Sequence, residues 1–214
     1  MTGYLLRING TAVPNLTKYV VSYNKLWKDA ERNMNGDIRA SLIGIFPKIE
    51  LEIGEDWASC RDYGRGMPHG ANDFSKEVMI NLLTENHSGA KFDDNAYGGK
   101  SRGLNGTGSA ATCCSAEWFK ISSYRDGAEW YMEFIDGIPK WEECQKKELN
   151  NNKQGTYIVY KPSQEVFSSE KVFFDYNEVC EQMREYSYFN KGISFIVTNA
   201  ETNETKTFLS KNGL

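Results

Sequence analysis

The chain has 214 residues, of which 40% are hydrophobic and 25% charged, with a formal charge of −4 and a pI near 5.4. This is ordinary globular composition with length enough for a sizeable core, and the acidity excludes a chain that holds nucleic acid by net charge alone. No apolar run approaches a membrane span, and "MTGYLLRINGTAVP" lacks the apolar core of a secretory signal, so the reading is cytoplasmic, with no membrane partner.

In chain order, "YLLRING" reads as an extended run closed by the turn pair Asn9-Gly10. "KLWKDAERNM" has the length of one or two helical turns, ended by "NGD". "KIELEI" (48–53) alternates charged and aliphatic residues, as a half-buried strand does. Trp57 to Arg61 reads as another strand. "FSKEVMINLLTEN" (74–86) places Val78, Leu82 and Leu83 at helical spacing. Residues 87–110 carry six glycines and little apolar content, too long a stretch for a simple turn; such loops are usually functional. "SAATCCSAEW" reads as a small-residue helix opening from that loop. "FKISSYR", "EWYMEFID" and "GTYIVYKPS" read as strands. "YNEVCEQMREYSYF" (176–189) is amphipathic at helical period, and the remainder, from "GISFIVTNA", reads as a hairpin. The five cysteines, Cys60, Cys113, Cys114, Cys144 and Cys180, contain no C-x-x-C pair. They read as reduced thiols rather than a zinc site, with Cys113 and Cys114 as small packing residues.

Two glycine-rich stretches carry the chemistry. In "RDYGRGMPHG", Asp62 stands at a strand end, and Gly64 and Gly66 remove side chains beside it, so a flat ligand can lie against bare backbone. A lone carboxylate accepts hydrogen bonds, and the exocyclic amine of adenine donates them. In "GLNGTGSA", the glycines lead into a helix start, whose free N–H groups and dipole favour phosphate oxygens. A base site and a phosphate site together suggest a nucleotide. Asp93 and Asp94 read as a solvated pair rather than metal ligands.

"DYGRGMP", "SGAKFDDNAY", "RGLNGTGSA", "GTYIVYKP" and "REYSYFNKGI" occur in this order. Together they resemble the ATPase domain of type II DNA topoisomerases, the gyrase B-subunit class within the GHKL (Bergerat-fold) ATPases, over about residues 56–214. The resemblance implies an α+β fold with a mixed, mainly antiparallel sheet and helices on one face. It implies that Asp62 binds the adenine amine, with Gly64, Gly66 and Met67 lining the base pocket and Thr156 on a water-linked contact. Arg65 and Pro68 would sit at the mouth, and Tyr97 over the base or ribose. Lys91 belongs to a lysine box, and Gly103, Asn105, Gly106 and Gly108 would cradle the phosphates. ATP and Mg²⁺ are the implied ligands. DNA, other topoisomerase regions or subunits, and a second copy dimerised by ATP are the implied partners.

The resemblance also implies a helix upstream of Asp62 with a glutamate base and, four residues on, an asparagine for Mg²⁺. Glu31 and Asn35 have that spacing, but Met34 stands where the family has an acid and Gly36 interrupts the helix. The pair is read as a chance match, so no catalytic or metal-ligating residue is assigned. The transducer domain that supplies a lysine to the γ-phosphate would begin about where "KNGL" ends. The chain alone is therefore expected to be hydrolysis-deficient. Residues 1–54 are more similar to the N-terminus of small phage tail-associated proteins. The expected organisation is a β-rich phage-like segment over 1–54 joined to an ATPase fragment over 55–214. The alternative function is a non-enzymatic phage tail or assembly protein with an ATPase-like scaffold.

Overall fold

The structure is a computed structural model. It describes residues 6–8, 11–13, 48–64, 66–67, 80–81, 83–84, 108–167, 173–190 and 192–211. Near the N-terminus, β1 (Leu6–Ile8) pairs antiparallel with β2 (Thr11–Val13), in the register Leu6 to Val13. The expected helices over "KLWKDAERNM" and most of 74–86 lie outside the described residues. Of the latter, Ile80, Asn81, Leu83 and Thr84 are helical, and Ile80 and Leu83 are buried in the core.

Among the described residues, nine further strands form one sheet. They are β3 (Lys48–Ile53), β4 (Ala58–Asp62), β5 (Ala116–Arg125), β6 (Ala128–Ile135), β7 (Ile138–Pro139), β8 (Gln145–Glu148), β9 (Gly155–Pro162), β10 (Ser194–Asn199) and β11 (Thr205–Leu209). The order across the sheet is β11-β10-β3-β4-β9-β5-β6-β7, and β8 also pairs with β6. Every pairing is antiparallel except β10 with β3, which is parallel. The expected mixed, mainly antiparallel α+β arrangement is what the chain adopts. The sheet includes residues on both sides of the expected joint at Gly54-Glu55, because β3 pairs with β4 from Ile49–Asp62 to Ile53–Ala58.

Period-2 patterning sets the faces. Ile49, Leu51 and Ile53 point to one side of β3, with Ala58, Cys60 and Asp62 of β4 beside them in register. Phe195 and Val197 of β10 continue that face through the parallel register. On β5, Phe119 and Ile121 lie opposite Tyr160 and Ile158 of β9. Phe119, Phe134 and Phe195 are almost wholly buried; each contributes about 1.5–3 kcal/mol by leaving water. Two tight turns, at Asp126-Gly127 and Asp136-Gly137, have positive φ at both residues. That geometry matches the twist of the flanking strands.

Among the described residues, and besides the helical residues near Leu83, three α-helices accompany the sheet: α1 (Gly108–Cys114), α2 (Gln164–Phe167) and α3 (Tyr176–Phe189). The span of α3 agrees with the sequence pattern. The Asp175 carboxylate caps it, accepting from the N–H groups of Asn177 and Glu178 at 2.8 and 3.0 Å. Its buried face, Tyr176, Val179, Cys180, Met183 and Tyr186, meets the β10 face, with the rings of Tyr186 and Phe195 6.4 Å apart. Helix α1 is shorter than the expected "SAATCCSAEW". The chain leaves it at Ser115 and enters β5 at Ala116, where Ser163 N–H bonds to the Ser115 carbonyl and pairing with β9 begins. Cys113 is buried as expected, but Cys114 is exposed, because it falls on the outer side of the last turn.

Candidate functional site

The candidate site lies at the end of β4 on the face that α3 covers. Asp62 is the last residue of β4, and its side chain is 5% exposed. Two backbone N–H groups donate to its Oδ1: Gly64 at 2.8 Å and Thr156 at 3.2 Å. Burial pushes the Asp62 carboxyl up, to about 6, against the pull of those N–H groups and of the Arg61 charge. It is therefore a desolvated carboxylate that remains mostly ionised at neutral pH. That makes it a strong acceptor for a donor brought by a ligand.

Gly155 lets this pair form. Its φ is +111°, and a Cβ there would collide with the Asp62 carbonyl oxygen. Only a bare backbone can bring the start of β9 so close to the end of β4. Gly66 is the second required glycine, with φ +75° and only 2.6 Å from an ideal Cβ to the Tyr124 carbonyl oxygen. Its absent side chain lets the loop after Asp62 settle onto β5. There the Met67 N–H donates to Ser123 Oγ at 2.8 Å. The loop is thus tied at both ends: Gly64 to Asp62, and Met67 to Ser123.

Asp62, Gly64, Gly66, Met67 and Thr156 are accordingly brought together. Gly108 is the first residue of α1, with no heavy atom within 4 Å of where its Cβ would be; steric crowding does not require glycine there. Lys91, Tyr97, Gly103, Asn105 and Gly106 lie outside the described residues, as do Arg65, Pro68, Glu31 and Asn35. Among the described residues no group of three or more His, Cys, Asp or Glu side chains is placed to hold a metal ion. Among them, too, no helix is long and apolar enough to cross a membrane.

Two residues of the site escape a reading of the sequence. Gly155 is visible there only as the first letter of a strand. Ser123 carries one signal: it interrupts the inward apolar series Phe119, Ile121 of β5 with a fully buried hydroxyl.

The opposite face of β4 differs. Arg61 points away from Asp62, its guanidinium 4.3 Å from the Tyr124 ring and 5.1 Å from the Tyr63 ring, and it donates to the Gln154 carbonyl at 3.0 Å. Lys48 pairs with Glu50 at 2.6 Å, and the Tyr63 hydroxyl bonds to the same carboxylate. Burial pushes Glu50 up, but the Lys48 and Tyr63 hydrogen bonds and the nearby positive charges outweigh it, leaving the group below its ordinary value. A groove of about 540 Å³ runs over this face, lined by Arg61, Tyr63, Tyr124, Lys153 and Tyr157 among others. Neither Asp62 nor Thr156 lines it, so the groove is separate from the candidate site.

No protein-family model matches the chain. The fold is that of the gyrase B ATPase domain. The solved 43K ATPase domain of Thermus thermophilus gyrase B, in complex with an aminocoumarin, superposes with a TM-score of 0.61 at 22% identity, covering 88% of this chain and 46% of that one. The DNA gyrase B subunit of Myxococcus xanthus is 32% identical over 178 residues, 81% of this chain and 21% of that protein. The topoisomerase 4 B subunit of Streptococcus pneumoniae is 29% identical over 81% of this chain and 27% of its own length. The chain is a homologue of the B subunits of DNA gyrase and topoisomerase 4, and it spans between a fifth and a third of the curated relatives it matches. The match to the gyrase B subunit of Metamycoplasma hominis takes in 90% of this chain. It leaves only a tenth outside and so reaches well into residues 1–54. Nothing in these comparisons supports the phage tail or assembly reading.

Proposed function

We propose that this chain binds ATP as the nucleotide-binding part of a type II DNA topoisomerase. The observation that carries the reading is Asp62: a buried carboxylate, held by two backbone N–H groups, beside a glycine loop laid flat against the sheet. Such a group accepts a hydrogen bond from an exocyclic amine and is costly to leave without one in a dry site. Gly66 and Met67 would form one wall of the base slot, and Thr156 supports the carboxylate from β9. Tyr97 would close over the base or ribose and Lys91 would lie near the phosphates. Gly103, Asn105, Gly106 and Gly108 would wrap the phosphate chain ahead of α1.

We further propose that hydrolysis by this chain alone is negligible. A general base typically contributes ~10²–10⁴ in rate, and none is assigned. Mg²⁺ would enter with the triphosphate. DNA, the other topoisomerase regions and a second copy of the chain are the partners proposed for the longer enzyme. The division into a distinct segment over 1–54 and an ATPase fragment over 55–214 is likewise a proposal, in which the first segment supplies β3 as the sheet strand beside β4.

The test is calorimetric titration of the full chain with a non-hydrolysable ATP analogue and Mg²⁺, beside Asp62→Asn. Binding that the substitution abolishes supports the reading, and Glu31→Gln would then be assayed for turnover. A folded chain that binds no nucleotide defeats it.

A further inference from the structure

We propose that Ser123 is a positioning residue for the nucleotide's base, an inference that rests on the ATP-binding reading. Asp62, Thr156 and Ser123 stand in one row across β4, β9 and β5: Thr156 is the register partner of Ser123, and its N–H reaches Asp62. All three are buried, Ser123 completely. A serine in the middle of a strand whose other inward residues are Phe119 and Ile121 costs apolar burial, and a buried hydroxyl has to be satisfied. Here the hydroxyl accepts the Met67 N–H.

The effect is mechanical. The segment from Gly64 to Met67 is short and passes through a positive-φ glycine, so backbone alone does not fix its course. Asp62 holds its near end and Ser123 its far end. Met67, a flexible side chain, is thereby held at one distance from the Asp62–Thr156 pair. That distance sets the width of the slot into which a planar base slides. With the slot held at that width, the Asp62 carboxylate meets the group on the base's edge: an exocyclic amine donates to it, as in adenine, whereas the carbonyl of hypoxanthine at the same position cannot.

The experiment uses the full chain with Ser123→Ala, the near-isosteric Ser123→Cys and Asp62→Asn. Non-hydrolysable ATP and inosine-triphosphate analogues are titrated, and amide exchange is followed at Met67. Loss of one hydrogen bond predicts a ~3–10-fold weaker ATP-analogue affinity for Ser123→Ala. The preference over the inosine analogue should shrink, and Met67 exchange should speed up by at least a similar factor. Ser123→Cys, which keeps the volume, should move all three in the same direction. A purely structural serine would lower the melting temperature and leave the base preference unchanged, which would overturn the inference. Wild-type affinity in both Ser123 variants, with Asp62→Asn inactive, would overturn this inference and leave the ATP reading standing. No binding by the folded wild type would overturn both.

Discussion

Asp62 and Arg61 are neighbours in sequence and sit in opposite worlds. Asp62 looks into the covered face, where its supports are two backbone N–H groups and burial raises its proton affinity. Arg61 looks out of the other face, where aromatic rings, a carbonyl and partly solvated ion pairs surround it. One strand only a single residue thick separates the two. Charge on the outer face can be redistributed among many partners, whereas the inner carboxylate has a fixed set of donors. A ligand that brings one more donor therefore gains far more from the inner face.

The most disruptive way to break this contrast is Gly155→Ala. Its side chain would strike the Asp62 carbonyl and would have to adopt a strained φ. Unfolding in urea should show a loss on the order of 3–5 kcal/mol, together with loss of nucleotide binding. Next comes the pH dependence of Asp62. Its folded value near 6 lies above the ordinary aspartate value of about 3.9, so between these the folded state holds more protons than the unfolded. The contribution of Asp62 to stability should be greatest below about pH 4, fall as pH rises to about 6, and level off above. Asp62→Asn should remove that fall, so its stability relative to wild type should improve by about 2–3 kcal/mol from pH 4 to pH 7. The same variant is expected to lose the nucleotide, so stability and binding would part company at one residue.

On the outer face, Arg61→Ala should cost only about 1 kcal/mol through lost ring and carbonyl contacts. It should raise the Asp62 midpoint slightly, because the Arg61 charge pulls that value down. Affinity for the ATP analogue should stay within about threefold of wild type, the change being electrostatic and across the strand. The smallest effect concerns thiols. Cys60, Cys113, Cys144 and Cys180 are buried and Cys114 exposed, so a thiol reagent should label one position quickly in the folded protein. Cys114→Ser should abolish that fast phase and change stability by no more than about 0.5 kcal/mol.

Legibility in the sequence follows the strength of local patterning. Helix α3 has an aspartate cap and a regular apolar face, and its span can be read directly. Strands β3 and β9 alternate cleanly and are readable as well. Strand β8, "QKKE", is exposed at every position. It is held by pairing with β6 and has no apolar period to betray it. The start of β5 at Ala116 is hidden because Ser, Ala and Glu suit a helix equally, and pairing with β9 decides the outcome. In the site, the carboxylate and its glycine loop are legible because both lie in one short stretch. Thr156 enters only through a family resemblance. Gly155 and Ser123 escape assignment, because their roles depend on strands that meet from distant parts of the chain.

The parallel pairing of β3 with β10 bears on how the molecule is made. Residues 48–53 and 194–199 must meet, so one edge of the β3–β4 hairpin stays open until residues 194–199 have been synthesised. A ribosome-bound chain that ends before residue 194 would present that edge, with Ile49, Leu51 and Ile53 behind it, as an unpaired template. Closing so long a loop is slow. Truncations from the C-terminal side should therefore aggregate abruptly once β10 is lost, while shortening within the last few residues should be tolerated.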